Sequence, residues 1–107
     1  MKDLRQLKVW KKTHQLTPDV YATTAGFPRH EMFGITSQMR RCSMSIGANI
    51  AVSCGESGNS ELHRFLQIAS SSASELEYLV LLAEDLSYLT DESHRRIERD
   101  CSKYEKC

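Results

Sequence analysis

Between Glu61 and Ser87 the apolar residues return every seven positions, and no other feature of the chain constrains its fold as much. Leu62, Ala69, Leu76 and Ala83 make one row, and Phe65, Ser72, Leu79 and Leu86 make a second. Leu66, Ala73 and Val80 broaden the two rows into a face too wide for a two-stranded seam and suited to a bundle. At 1.5 Å per residue the segment predicts a helix about 40 Å long. Asn59 or Ser60 can cap its start, and Glu61 suits the positive end of its dipole. Its middle, SSSAS, has little bulk and lets another helix come close.

The partners for that face are legible in the same way, because helical period dominates and strand alternation is almost absent. A second helix is predicted over Met32 to Cys54, with Ile35, Met39, Cys42, Ile46 and Ile50 as its stripe; Gly55 and Gly58 end it in the loop CGESGN. A first helix is predicted over Leu4 to Ala25. Leu7, Trp10, His14, Thr17 and Tyr21 form its expected face, with Val9, Leu16 and Val20 beside them. Pro18 falls inside this pattern and removes the hydrogen bond to the His14 carbonyl, so a kink is expected there. A fourth helix follows Thr90, a good N-cap, with Asp91 and Glu92 in its first turn and His94, Ile97, Cys101 and Tyr104 as its stripe. Four amphipathic helices with short connections give an all-α, antiparallel up-down four-helix bundle, a single domain over residues 1–107. With only 2 Pro and 5 Gly among 107 residues, of which 40% are hydrophobic, the composition is that of a globular chain. No run approaches the 20 or so apolar residues of a membrane span. The opening MKDLRQLKVWKK has no apolar core of a secretory signal, so the expected location is cytoplasmic, with no membrane partner.

Catalytic chemistry finds no foothold. Cys42, Cys54, Cys101 and Cys107 contain no CxxC pair, and their spacings fit no common zinc pattern. Cys42 and Cys101 fall on apolar stripes and read as small core residues. His14, His30, His63 and His94 are scattered. A di-iron bundle needs two Glu-x-x-His motifs and two further Glu, whereas Asp91–His94 is one isolated pair. No Arg is followed by His four to six residues later, the spacing small helical ribonucleases use, and no phosphate-binding loop or nucleophile elbow occurs. Glu77 and Glu84, seven residues apart, read as a solvated or salt-bridged face. The expectation is a non-enzymatic protein with no cofactor and no metal.

Charge is the remaining signal. Net charge is zero, which argues against a dedicated nucleic-acid binder. The distribution is uneven: residues 1–50 carry eight basic groups against three acids, and the remainder six against eleven. Arg5, Lys8 and Lys12 share one face of the first helix, with Lys11 beside them, and Arg40 and Arg41 add a pair on the second. If these faces adjoin they can hold phosphates, so RNA is one candidate partner. Few aromatics interleave with them, which weakens a stacking platform. The other reading sets the basic helices against acidic ones, within or between subunits.

The run PRHEMFGITSQMRRCSMSIGANIA, Pro28 to Ala51, resembles the signature of the four-helix-bundle proteins encoded in intervening sequences of bacterial 23S ribosomal RNA genes, a family that includes the accessory protein of diversity-generating retroelements. Phe33-Gly34, Ser37-Gln38, Arg40-Arg41, Ser45-Ile46 and Asn49-Ile50-Ala51 sit in register with it. LKVWKKTHQL, Tyr21, Phe27-Pro28 and ELHRFLQIASSSASELEYL are also similar, so the likeness covers residues 4–90. Two departures stand out: the family continues Asn-Ile-Ala with Glu-Gly, whereas here Val52-Ser53-Cys54-Gly55 comes before Glu56, and the retroelement accessory proteins are strongly basic, whereas this chain is neutral. The resemblance implies an up-down bundle that assembles into a ring-shaped homopentamer, an association with ribosomal or retroelement RNA, and no enzymatic activity.

Beside that motif the residues suggest their own polar contacts. Gln38 and Asn49 lie near a packing face, and Asn49, seven residues from Cys42, is expected to be buried and hydrogen-bonded, where one amide can fix register or oligomer state. Arg40 and Arg41 are expected to meet Glu75 or Glu77 of the acidic long helix, with Arg41 at a subunit boundary.

Overall fold

The apolar stripe expected between residues 35 and 50 becomes the centre of the molecule. The computed structural model describes residues 8–53 and 58–102. Its helices are α1 (Lys8–Thr24), α2 (Ile35–Ser53), α3 (Asn59–Asp85) and α4 (Asp91–Ser102), with a 3-10 turn at Arg29–Glu31 before α2. Ile35, Met39, Cys42, Ile46 and Ile50 of α2 are all buried. They meet Leu16 and Val20 of α1, Ala69, Ala73, Leu76, Val80 and Ala83 of α3, and Ile97 and Cys101 of α4.

Each helix packs on two others, in the cyclic order α1, α2, α3, α4 and back to α1. The pairings that cross between helices fix the directions. Arg40 reaches Thr24 while Tyr21 reaches Met44, so α1 and α2 run antiparallel. Cys42 reaches Glu75 while Ser45 reaches Ser72, so α2 and α3 do too. The result is an all-α up-down bundle 43 × 23 × 23 Å, its long dimension set by the 27 residues of α3. The small residues at the middle of α3 do what their size allows: Ala69 and Ala73 are sealed in the core, and Ser72 shares a 2.8 Å hydrogen bond with Ser45.

Two expectations need correction. On α1 the inward face is Thr13, Leu16, Val20 and Thr24, not His14, Thr17 and Tyr21. His14 and Tyr21 are exposed, and Thr17 is half-buried. The helix has two apolar stripes about 100° apart, and contact with both α2 and α4 selects the one between them. The second helix was expected from Met32, but α2 starts at Ile35, behind the 3-10 turn. Pro18 lies inside a continuous α1 at an exposed position, its ring supplying no N–H to the turn before it.

The turns are well made. α3 closes with Ser87 N–H donating to the Glu84 carbonyl and Tyr88 N–H to the Ala83 carbonyl, both at 2.9 Å, with Ser87 at φ 65°. That is the double hydrogen bond of a Schellman ending, with serine where glycine is preferred. Thr90 caps α4 as expected, its hydroxyl accepting from Ser93 N–H at 3.2 Å. No described helix is long and apolar enough to cross a membrane.

Candidate functional site

Among the described residues, Lys12, Arg40 and Arg41 do not form one patch within the chain. Arg40 is half-buried: its Nε donates to the Thr24 hydroxyl at 2.9 Å and its guanidinium lies 4.5 Å from the Tyr21 ring centre. The Thr24 hydroxyl in turn donates to the Val20 carbonyl at 2.8 Å. Arg40 therefore pins α2 to α1, which uses its fork of donors and its flat cationic face together. Lys12 is exposed but lies twelve residues before Thr24, about 18 Å along the helix axis. Lys8 begins α1, further still from Arg40. Arg5 lies outside the described residues. Arg41 is exposed.

The polar positions separate similarly. Gln38 is exposed in the first turn of α2. Asn49 is half-buried, and its amide donates to the Ser45 carbonyl at 2.7 Å, one turn back on its own helix. The polar links that cross from α2 to α3 are made instead by Ser45 with Ser72 and by Cys42 with Glu75. Glu75 is exposed on α3 and accepts the Cys42 thiol at 2.8 Å. Burial, together with this bond and the carboxylate's charge, pushes the Cys42 thiol up to about 12, with Arg41 pulling the other way. Cys42 is thus a core residue tied to α3, and no thiolate is available near neutral pH. The ion pair expected between the α2 arginines and the acids of α3 is replaced on Arg40 by its bonds to α1. Glu77 is half-buried on the far side of α3, toward α4.

That far side holds what sequence reasoning missed. A groove of about 430 Å³ runs between α3 and α4, lined by Ser74, Glu77, Tyr78, Leu81, His94 and Glu98. At its edge His94 stands between two carboxylates: Nδ1 faces Glu84, and Nε2 lies 3.0 Å from Glu98. When protonated, the ring donates to both. The two carboxylates sit on opposite nitrogens, so they do not converge on one point. Among the described residues no group of three His, Cys, Asp or Glu is placed to hold a metal ion. The i, i+4 spacing of His94 and Glu98 was visible in the sequence; the third member, Glu84, comes only from the reversal at Ser87.

A second missed feature is at the 3-10 turn. Tyr88 donates its hydroxyl proton to Glu31 at 3.0 Å, and its ring packs against Phe27 with centroids 5.4 Å apart and planes tilted by 48°. The carboxylate that accepts its proton, helped by burial and charge, raises the phenol above its ordinary value. Gly34 makes room for this: a Cβ there would lie 2.6 Å from Glu31 Oε1. Next to it Phe33 is 95% exposed. The Phe33-Gly34 pair was visible in the sequence, but its outward display was not.

With this geometry in hand, the chain can be set against known proteins. Its fold matches the 1.70 Å crystal structure of a protein of unknown function from the S23 ribosomal protein family of Bacteroides thetaiotaomicron, with a TM-score of 0.80, 26% identity and 92% of each chain covered. No curated protein matches it. Residues 5–107 match the family described as 23S rRNA-intervening sequence protein. The four-helix bundle, its Phe33-Gly34 turn and the Arg40-Arg41 pair on α2 thus belong to a member of the 23S rRNA-intervening sequence protein family.

Proposed function

We propose that this protein is a non-enzymatic, self-assembling scaffold, working as a homo-oligomer whose copies meet through apolar surface left outside the core. One observation carries the reading. The bundle has a complete core, yet Met44 and Val52 on the outside of α2 and Ile68, Tyr78 and Leu81 on the outside of α3 are all more than a third exposed. Large apolar residues left exposed on a bundle whose core is already complete signal interaction surface. The opposite charges of the two halves of the chain give that surface a direction, because a basic half on one copy can face an acidic half on the next. Five copies in a ring is the arrangement the family resemblance implies, and the cytoplasm is the expected compartment.

Native mass spectrometry of the purified protein tests this directly. A single species of several chains, five on the ring reading, is the expected result, and a monomer at tens of micromolar overturns it. Arg41→Glu reverses an exposed charge on α2 and is expected to shift the population toward smaller species; an unchanged mass counts against the boundary role of Arg41.

The alternative is an RNA-binding accessory protein using Arg5, Lys8, Lys12, Arg40 and Arg41. Exposed Arg41 and Lys12 support it, while the engagement of Arg40 and the length separating it from Lys12 speak for the scaffold. A mobility shift with structured RNA at low salt that weakens steeply with added salt is its expected signature.

A further inference from the structure

We propose that Phe33 is the anchor of the self-assembly contact and inserts into the α3–α4 groove of a second copy of the chain. This rests on the self-assembly reading above and names the two surfaces that meet.

The first surface is the tip of the 3-10 turn. A phenylalanine 95% exposed beside a half-exposed Met32 is costly to leave in water, yet the backbone on either side of it is hydrogen-bonded. Glu31 N–H donates to the Pro28 carbonyl at 3.0 Å, Met32 N–H to Arg29 at 3.1 Å and Gly34 N–H to Glu31 at 2.9 Å. The Ser37 hydroxyl donates to the Gly34 carbonyl at 3.1 Å, and Tyr88 holds Glu31 from the α3–α4 turn. The ring is therefore displayed on an ordered platform, and docking it costs little further ordering. Buried aromatic anchors of this kind carry most of the energy of interfaces.

The second surface is the groove. Leu81 and Tyr78 give it apolar walls, and both remain about half exposed. Its volume of about 430 Å³ exceeds what one phenyl ring fills and sits near the low end of the range, about 300–1,000 Å³, of built binding clefts. Charge selects the partner. Arg29 and His30 are exposed beside Phe33, and Glu77 and Glu98 line the groove. The Arg29 guanidinium thus flanks the knob and carboxylates flank the hole. Phe33 does not fill its own chain's groove, because it is exposed here. Knob and hole are different patches, so the contact is head-to-tail. Such a contact closes into a ring when its rotation permits, and otherwise propagates.

The test places p-benzoylphenylalanine at position 33, irradiates the full-length protein, and maps the cross-linked peptides by mass spectrometry using a mixture of isotopically light and heavy chains. Light–heavy cross-links to residues 74–98 are expected. Cross-links that map to another segment overturn the proposal. In parallel, Phe33→Ala removes a side chain with almost no contacts in the fold, so its circular dichroism and melting as a dilute monomer should be unchanged. Its self-association should weaken by about 30-fold or more. Association unchanged in Phe33→Ala overturns the Phe33 contact and leaves the scaffold reading standing. A wild-type protein that is monomeric throughout overturns both.

Discussion

α3 makes two seams, and they differ in kind. Toward α2 it offers small residues and the contact closes: Ala69 and Ala73 are sealed, Ser72 meets Ser45, and Glu75 takes the Cys42 thiol. Toward α4 it offers Tyr78, Leu81, Glu77 and Glu84, and the contact stays open as a groove, held at one edge by His94. α4 is short and heavily charged, and Ile97 and Cys101 are its fully buried apolar residues. A helix with so narrow a stripe cannot cover the whole width of α3. The difference teaches that the closed seam gives the bundle its stability, while the open one keeps apolar surface available for a neighbour.

The largest expected effect lies where α2, α3 and α4 meet. Leu76→Ala deletes a fully buried side chain and should cost about 2–5 kcal/mol in chemical denaturation, with loss of the whole bundle in one transition. If α4 alone loosens, the division between the seams is wrong.

The α2–α3 seam should also show itself at high pH. Folding holds the Cys42 thiol protonated up to about 12, whereas its ordinary value is 9.0. Between those values the unfolded chain holds fewer protons than the folded one, so stability falls as pH rises above 9 and is unaffected by this group below it. Cys42→Ala should have a shallower decline from pH 9 to 11 than the wild type. Parallel curves would show that the thiol is not shielded.

The α3–α4 seam should respond more mildly. His94→Ala removes both carboxylate contacts of a group at the groove edge and should cost about 1 kcal/mol. Hydrogen exchange should rise in α4 before it rises in α2. The smallest effect has the opposite sign: Ser87→Gly relieves a left-handed residue in the turn between α3 and α4 and should stabilise by about 0.5–1 kcal/mol. Calorimetric melting checks it, and a lowered melting temperature would mean that the serine makes a contact that offsets its strain.

Much of this architecture was legible beforehand. The α2 stripe needed only its spacing, because five apolar residues on one side of a helix leave a single way to turn it. The cap at Thr90 needed only its side chain and the acids that follow. The inward face of α1 is not legible locally, because its sequence offers two stripes and propensity does not choose between them. Asn49 was placed near the right surface, but its amide had a carbonyl of its own helix within reach, which needs no partner helix. The candidate site was less legible still. The groove depends on how far α4 falls short of covering α3, and the Glu84–His94 contact joins residues on two helices across a turn.

The seven-residue rhythm of α3 and the stripes around it determined that this chain is a helical bundle, since apolar faces of that period can be buried only against one another. Where Arg40 reaches, which side of α1 turns inward and why Phe33 stands in water were decided by the tertiary structure. Those outcomes depend on which groups from distant parts of the chain arrive at the same place, and no local pattern encodes that distance.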